Sequence, residues 1–549
     1  MSDDPEIQVL ETVADEYRRR GWWSTDTVGT LISRRAELTP DDVAYIDSRR
    51  AWSWSDYDRS AWRLAAVLDE LIDPGQRVAI FLPDGGWQHV SYVATERASA
   101  IAVGVPGRAA TTEIAHVLAR TGARVMVVPA SVRDRSAHDF IDELRGLGHQ
   151  IDAYVVVDGA DEITVWPAPA SGPPSPLPDA TSSRGLGPAD VWLLNITSGT
   201  TGSPKAVIQT QNRWFYLARL AAEAARIDAD DRLLCAIPGP YGFGIWTGHV
   251  LPTLTGSTCC LIERFDPATT LQALSDRRIT VLACVTTQLV MMMNDPLFEK
   301  LDLSHLRVVF TGGEMVPEVH ARRWEHATGS VVLQFYGSNE VGPLSCTRLD
   351  DDEHTRLTTA GQIVPGLTWQ LVDEMADHDD RGPIRVGQLA VSGPGVHGGY
   401  WDDPAANREL RTADGSFLMP DVVAVDDDDN VRIVGRKADI IIRGGKNVSA
   451  AVVEREVSTC SGVETAVAVP VADETFGERI GVAIVPTNDG ERLDLAALSH
   501  ELSQRGVSKE YHPERLRIVD RIPLSLGGKT DKQWVKSLFD ERRGGDGAA

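Results

Sequence analysis

The chain has 549 residues, 42% of them hydrophobic, and a formal net charge of −25 at pH 7. This length exceeds what one hydrophobic core accommodates, so two or more domains are expected. The strong negative charge argues against nucleic acids and anionic membranes as partners, because both repel an acidic surface. The six cysteines show no paired metal-ligand spacing and no disulfide framework, which favours a reducing, cytoplasmic setting.

The amino-terminal segment is acidic and lacks the basic and apolar regions of a signal peptide. The sequence also contains no run of about 20 uninterrupted apolar residues, the length that a membrane-spanning helix needs. We therefore expect no transmembrane helix and no membrane partner.

The first 165 residues alternate strand-like and helix-like patterns. Apolar runs at 77–82 and 123–128 predict buried strands, and the pattern at 111–120 predicts a helix between them. This alternation indicates an α/β fold with a largely parallel sheet. Residues 166–190 are rich in Pro, Ser, Gly and Ala and predict a long surface loop.

A glycine- and hydroxyl-rich run follows an apolar strand pattern at 191–194. Its members are Thr197, Ser198, Gly199, Thr200, Thr201, Gly202, Ser203, Pro204 and Lys205. Glycines let backbone N–H groups approach an anion closely, so this composition suits a loop that wraps a polyphosphate. The lysine follows the second glycine by three residues, which distinguishes the run from the G-x-x-x-x-G-K-[ST] nucleotide loop.

Further strand-like runs at 232–237, 281–285 and 307–310 lead to two polar segments. Their residues are Thr311, Gly312, Gly313 and Glu314 after one strand, and Tyr336, Gly337, Ser338, Asn339 and Glu340 after an apolar run at 331–335. Open α/β sheets bind ligands where parallel strands end, so both segments are candidate site loops. Tyr336 suits a flat adenine ring, and Glu340 offers a hard oxygen to Mg²⁺. Taken singly, each segment is better explained as an ordinary strand-to-helix turn.

The character of the sequence changes near residue 435. The acidic run at 426–430 predicts a solvated hairpin turn, more simply than a metal site. Beyond it, patterns at 440–442, 451–459, 464–470, 482–486 and 493–505 predict a small α+β unit of strands and helices. We place a large multi-layer α/β domain at 1–436, a hinge at 437–439 and a small mobile α+β domain at 440–549.

The run ending at Lys205 resembles the phosphate-binding signature of the adenylate-forming (ANL) superfamily of acyl-CoA synthetases, adenylation domains and luciferases. Four further motifs follow in the family's order, so the resemblance covers roughly residues 15–537. Within the family, the chain looks most like the branch of aryl- and alicyclic-acid–CoA ligases. Three departures stand out: Ala206, Asn339 and the pair Met419-Pro420 occupy positions where the family usually has Gly, Thr and Thr-Gly.

The resemblance implies a role for each motif. It implies that Lys529 and Glu340 are catalytic, with Glu340 also holding Mg²⁺. The implied ATP- and AMP-binding residues are Thr197, Ser198, Gly199, Thr200, Thr201, Gly202, Lys205, Gly313, Glu314, Tyr336, Gly337, Asn339, Asp421 and Arg436. The implied acyl pocket contains Tyr241, Gly242 and Phe243, the loop facing coenzyme A contains Gly444, Gly445 and Lys446, and the hinge contains Ala438.

The acyl pocket segment places two aromatic residues among glycines, which favours a flat or ring-shaped, apolar acid. It carries no charged residue to match an ammonium group, which argues against amino acids as substrates. The resemblance implies that the acid attacks the α-phosphorus of Mg-ATP, with Lys529 bridging the two anions, and that pyrophosphate departs. A thiol then accepts the acyl group after the small domain has rotated about the hinge.

We therefore expect an ATP-dependent acid–CoA ligase that uses ATP, Mg²⁺ and coenzyme A and acts on a bulky aromatic or alicyclic carboxylic acid. The first alternative is a stand-alone adenylation enzyme that loads the phosphopantetheine of an acyl carrier protein, since both acceptors present the same thiol arm. A non-catalytic nucleotide sensor is disfavoured by the presence of Lys529 and Glu340. A luciferase-like oxygenase is also disfavoured, although it shares these residues. A homodimer is left open.

Overall fold

The computed structural model describes residues 11–157, 162–166, 185–197, 205–313, 316–379, 382–396, 398–436, 440–443, 446–473, 477–487, 493–523 and 530–539. Within these ranges, no helix combines the length and the apolar character needed to cross a bilayer.

The described α-helices are mostly short and lie on the faces of the sheets. In chain order they are α1 (Glu11–Arg19), α2 (Val28–Leu38), α3 (Trp54–Asp69), α4 (Gly86–Arg97), α5 (Thr111–Thr121), α6 (Ala137–Gly146), α7 (Gln211–Ala225), α8 (Gly242–Ile245), α9 (Leu251–Thr255), α10 (Pro267–Asp276), α11 (Thr286–Met293), α12 (Glu318–Thr328), α13 (Glu353–Thr358), α14 (Pro404–Glu409), α15 (Ala450–Ser458), α16 (Leu495–Gln504) and α17 (Lys532–Ser537). A single π-helical turn, Trp246–Val250, joins α8 to α9.

The described strands form four larger sheets and one short hairpin. In chain order they are β1 (Val43–Ile46), β2 (Ala51–Ser53), β3 (Arg77–Phe81), β4 (Ile101–Val105), β5 (Val125–Pro129), β6 (Ser131–Val132), β7 (Arg135–Ser136), β8 (Ala153–Val157), β9 (Ile163–Trp166), β10 (Leu193–Thr197), β11 (Lys205–Gln209), β12 (Arg232–Cys235), β13 (Thr258–Leu261), β14 (Val281–Ala283), β15 (Val308–Gly312), β16 (Val331–Ser338), β17 (Gly342–Cys346), β18 (Gln362–Ile363), β19 (Thr368–Asp379), β20 (Gly382–Ser392), β21 (Phe417–Val425), β22 (Val431–Arg436), β23 (Ile440–Arg443), β24 (Lys446–Ser449), β25 (Val463–Asp473), β26 (Gly477–Pro486) and β27 (Arg515–Ile518).

The first large sheet has seven strands in the order β11-β10-β4-β3-β5-β8-β9. Its five central strands are parallel, and only the two edge pairs are antiparallel. Strands β3 and β5 confirm the two strands expected from the apolar runs, and α5 confirms the helix expected between them. Such runs form central strands because helices bury both faces of a parallel sheet.

The second large sheet has nine strands in the order β18-β17-β16-β15-β14-β12-β13-β1-β2. The predicted strands β12, β14 and β15 are neighbours in it and run parallel. The prediction of a loop directly after residue 335 is wrong, because β16 continues to Ser338. The extension arises because β17 returns antiparallel beside it and pairs Tyr336 with Ser345.

The main hydrophobic core joins elements of both large sheets. Its largest buried side chains include Trp54 of α3, Trp192 just before β10, and Trp246 of the π-helical turn. Large aromatic rings bury more apolar area than any other side chains, so they dominate the stability of such a junction. The two sheets therefore form one packed body that positions the residues between them.

A four-stranded antiparallel sheet has the order β19-β20-β21-β22, and the sequence analysis anticipated only its last hairpin. The hairpin turn follows the expectation: Asp426 accepts hydrogen bonds from the N–H groups of Asp428 and Asn430. Among the residues that the structure describes, no group of three or more His, Cys, Asp or Glu side chains could hold a metal ion.

The chain beyond residue 440 forms the sheet β24-β23-β26-β25, with β27 paired to β26. Helices α15 and α16 pack on it through Val453, Val457, Leu498 and Leu502. These strands and helices lie where the sequence patterns predicted them, and the division into a large and a small domain stays a prediction. The hinge expected at 437–439 lies outside the described residues.

Candidate active site

The two ends of the glycine- and hydroxyl-rich run face each other at the edge of the seven-stranded sheet. Thr197 ends β10, Lys205 begins β11, and these two residues are direct partners in the antiparallel register. The run thus leaves and re-enters the sheet at one point, as a loop around a bound anion requires. The predicted phosphate-binding residues Ser198, Gly199, Thr200, Thr201 and Gly202 lie outside the described residues.

Tyr400, a residue that the sequence analysis did not single out, lies beside Lys205 and Glu340. Its hydroxyl group donates a hydrogen bond to Glu340 Oε1 over 2.9 Å. The Lys205 Nζ atom lies 4.9 Å from the centre of its ring, within the range of a cation–π interaction. Two glycines precede Tyr400 and a tryptophan follows it, a local pattern that could have drawn attention to this residue.

Glu340 lies in the turn between β16 and β17 and is half-buried. The Ser338 hydroxyl accepts hydrogen bonds from the N–H groups of Glu340 and Val341, which closes the turn. Gly337 permits the close pairing of β16 with β17, since a Cβ atom at this position would lie 1.9 Å from the Gly342 carbonyl oxygen. The turn thereby presents the Glu340 carboxylate in a defined direction.

Arg213 of α7 holds the same turn through its backbone carbonyl groups. The sequence analysis did not identify this residue either. Its guanidinium donates to the carbonyl oxygens of Asn339 at 3.1 Å, Glu340 at 3.0 Å and Gly395 at 2.7 Å. A further bond goes to the Gln209 side chain. Burial lowers the pKa of Arg213 to about 9, opposed by the Glu340 charge, so the group stays charged at neutral pH.

Tyr336 and Asp421 come together although 85 residues separate them in the chain. The Tyr336 hydroxyl donates to Asp421 Oδ2 over 3.0 Å. Asp421 of β21 is also the direct register partner of Arg436 in β22. The three residues expected at the adenine and ribose therefore converge from two different sheets.

Asn339 connects the turn to the predicted acyl pocket. A Cβ atom at Gly242 would lie 1.9 Å from Asn339 Oδ1 and 3.1 Å from the Trp214 ring, so only glycine fits this contact. Asn339 therefore lies directly against the segment that carries Tyr241, Gly242 and Phe243.

Four aromatic rings line the wall behind that segment. Phe243 stacks on Trp246 with ring centres 5.3 Å apart, and Trp246 also contacts Phe310 and Phe335 at 5.3 and 5.1 Å. The rings come from α8, the π-helical turn, β15 and β16. Trp246, Phe310 and Phe335 are buried and Phe243 is half-buried, so the cluster forms a packed apolar layer behind the segment.

Two polar side chains, the half-buried Asp84 and the buried Asn195, contact the backbone just before Tyr241. Asp84 accepts a hydrogen bond from the Gly239 N–H over 2.5 Å, and the Asn195 side chain donates to the Pro240 carbonyl over 2.8 Å. Burial raises the pKa of Asp84 to about 7, against the opposing effect of the Gly239 hydrogen bond. These contacts hold the chain leading into Tyr241.

Gly313 follows β15 with a φ angle of +79° and is exposed, which suits a turn at the end of a strand. Lys446 begins β24 and is the backbone partner of Arg443. Four other candidates, Glu314, Gly444, Gly445 and Lys529, lie outside the described residues, as does the hinge residue Ala438.

The chain belongs to the AMP-binding enzyme family, whose model matches residues 32–401. A salicyl-AMP ligase / salicyl-S-ArCP synthetase from Mycobacterium tuberculosis is 30% identical over 95% of this chain and 92% of its own length. A 3-[(3aS,4S,7aS)-7a-methyl-1,5-dioxo-octahydro-1H-inden-4-yl]propanoyl:CoA ligase from the same organism is 30% identical over 93% of this chain and 99% of its own.

The fold is also that of ATP-bound MatB from Rhodopseudomonas palustris, with a TM-score of 0.81 at 23% identity, over 93% of this chain and 99% of that one. The resemblance to the adenylate-forming superfamily is thus confirmed, and the chain is an adenylate-forming acid ligase. Members of this family use ATP, generally with Mg²⁺.

Proposed function

We propose that this protein is an ATP-dependent acid–CoA ligase that activates a bulky aromatic or alicyclic carboxylic acid as its acyl-AMP and transfers the acyl group to coenzyme A. The observation that carries the proposal is the position of Asn339 and Glu340. Their turn lies between the Tyr336–Asp421 pair, the Lys205–Tyr400 contact and the aromatic wall at Phe243. One turn therefore borders a candidate nucleotide site and a candidate acyl site together.

In this proposal, Tyr336 packs on the adenine ring and Asp421 accepts hydrogen bonds from the ribose hydroxyl groups. A carboxylate is a good acceptor for two neighbouring hydroxyls, and Arg436 lies opposite it on the next strand. Lys205 and the preceding hydroxyl-rich run bind the β- and γ-phosphates. Lys529 is proposed to bridge the substrate carboxylate and the α-phosphate, where two anions must approach each other.

Glu340 fits the role of a magnesium ligand. One of its oxygen atoms accepts the Tyr400 hydrogen bond, and among the described residues Oε2 has no hydrogen-bond partner. Carboxylate oxygens are preferred ligands of Mg²⁺ in nucleotide sites. The ion would reduce the repulsion between the phosphates and the incoming carboxylate, while the side chains above set the positions of the two reactants.

The substrate class is proposed from the walls of the acyl site. Phe243 is a half-buried ring backed by the buried rings of Trp246, Phe310 and Phe335. The Asn339 side chain fills the place that a side chain at Gly242 would take. Fused-ring and hydroxybenzoyl groups are named for the two Mycobacterium tuberculosis relatives, which supports a ring-bearing acid here. The Asn339 amide would supply one polar contact at the edge of this apolar site.

A second candidate function is the loading of an acyl carrier protein. It is favoured by one observation, the similarity to the salicyl-S-ArCP synthetase relative. Both acceptors attack the acyl-AMP with the thiol of a phosphopantetheine arm, so the acid-activating half of the site serves either one.

We further propose that residues 437–439, including Ala438, are the hinge that brings Gly444, Gly445 and Lys446 to the thiol side.

The deciding experiment is an incubation of the protein with ATP, Mg²⁺, coenzyme A and a panel of aryl, alicyclic and fatty acids, with products identified by mass spectrometry. A thioester formed from one ring-bearing acid supports the proposal and names the substrate class. Acyl-AMP without a thioester favours the carrier-protein alternative, and a preference for straight-chain acids contradicts the substrate class. Reactions that lack ATP or contain Glu340→Gln protein are the controls.

A further inference from the structure

Tyr400 is held in place from both sides of its backbone. The Ile208 N–H donates to the Gly399 carbonyl over 3.0 Å, and the Trp401 N–H donates to the Ala206 carbonyl over 2.8 Å. Tyr400 itself forms an antiparallel bridge with Val207 of β11. The segment around Tyr400 therefore extends the sheet next to the strand that begins at Lys205.

A side-chain clamp completes this anchoring. The Asn407 amide accepts from the Tyr400 N–H over 2.7 Å and donates to the Tyr400 carbonyl over 3.1 Å. The Tyr400 residue is 4% exposed, so its ring has little freedom to move. A residue whose backbone is anchored in this way and whose ring is buried can impose its position on the groups that touch it.

The ring touches two groups of opposite charge from different parts of the chain. Its hydroxyl donates to the Glu340 carboxylate, and its face lies against the Lys205 ammonium group. Glu340 is thereby restrained in orientation while its second oxygen is left for another partner.

We propose that Tyr400 is a positioning residue that sets the orientation of the Glu340 carboxylate for its divalent cation and the position of Lys205 for the phosphates of the nucleotide. The inference rests on the proposed function, since it takes Glu340 as the cation ligand. The hydroxyl group affects cation binding through Glu340, and the ring affects phosphate binding through Lys205. Separate substitutions can distinguish these two effects.

The test uses Tyr400→Phe, which keeps the ring, and Tyr400→Leu, which removes both parts. Tyr154→Phe is the matched control, because Tyr154 is also buried and its hydroxyl lies 2.9 Å from His138 Nδ1. The full-length variants are titrated with Mn²⁺ in the presence of a non-hydrolysable ATP analogue, and bound Mn²⁺ is measured by electron paramagnetic resonance. Binding of the analogue without a metal is measured by calorimetry.

Tyr400→Phe is expected to weaken Mn²⁺ binding about tenfold, as the loss of one hydrogen bond to a charged group predicts, and to leave metal-free analogue binding unchanged. Tyr400→Leu is expected to weaken both, and Tyr154→Phe neither. Because the hydroxyl acts through Glu340, Tyr400→Phe should have no further effect on Mn²⁺ binding in a Glu340→Gln background.

Wild-type Mn²⁺ affinity in Tyr400→Phe would overturn the inference while leaving the proposed function intact. An equal further loss in the Glu340→Gln background would also overturn it, because the hydroxyl would then act independently of Glu340. Failure of the unsubstituted protein to bind the metal–nucleotide complex would refute the proposed function, and the inference with it.

Discussion

The substitution Arg213→Lys tests whether the buried guanidinium holds the Asn339–Glu340 turn in its active position. Arg213 reaches four acceptors, the carbonyl oxygens of Gly395, Asn339 and Glu340 and the side chain of Gln209. A lysine keeps the charge, but its ammonium group is a single point that can serve about two of these acceptors.

The expected cost follows from the bonds that are lost. A hydrogen bond from a charged group contributes about 1.5 kcal/mol or more, so two lost bonds lower the free energy of unfolding by about 3 kcal/mol. The effect on catalysis should be of similar size, because a shift of about 1 Å in a positioning group can reduce the rate about 100-fold. We expect such a loss in acid-dependent exchange of pyrophosphate into ATP, measured at a temperature where the variant is fully folded.

Arg97→Lys is the matched control for this experiment. Arg97 is 7% exposed, compared with 4% for Arg213, and it also donates four hydrogen bonds. Its partners Gly29, Ser33 and Asp58 are not candidate site residues. The control should lose similar stability in urea unfolding and retain its exchange rate. If Arg213→Lys also retained its exchange rate, our explanation of how the turn is positioned would be refuted.

Three further predictions concern separate parts of the molecule. Lys529→Ala should abolish acid-dependent pyrophosphate release and spare thioester formation from supplied acyl-AMP, and equal loss of both half-reactions would contradict its proposed role. Trp246→Leu should shift the ratio of kcat/KM values toward larger ring-bearing acids, because it opens the wall beside Phe335; an unchanged ratio in the acid panel would argue against an acyl site there. Asp84→Asn should change how stability depends on pH. The raised pKa of about 7 means that the folded protein binds the extra proton between about pH 4 and 7, so wild-type stability falls as pH rises through that window. Between pH 5 and pH 8, the free energy of unfolding in urea should fall more in the wild type than in Asp84→Asn, by up to about 2 kcal/mol when the partial exposure of Asp84 is allowed for. An equal fall in the two proteins would contradict the raised pKa of Asp84.

The sequence by itself determined the family and predicted several buried strands and most candidate residues. Apolar runs such as those of β3 and β5 are local signals, because a strand buried on both faces must be apolar along its whole length. The glycine- and hydroxyl-rich run before Lys205 is equally local, since its composition suits anion binding wherever it stands. The Glu340 prediction also needed only its neighbours in the chain and the order of the motifs.

Only the tertiary structure decided which residues meet. Tyr400 lies 60 residues from Glu340 in the chain and Arg213 lies 127, so no local pattern connects them. The extension of β16 to Ser338 likewise depended on a partner strand that returns beside it. Burial, register and hydrogen bonding between distant segments are properties of the packed chain, and these properties determine how the site is positioned.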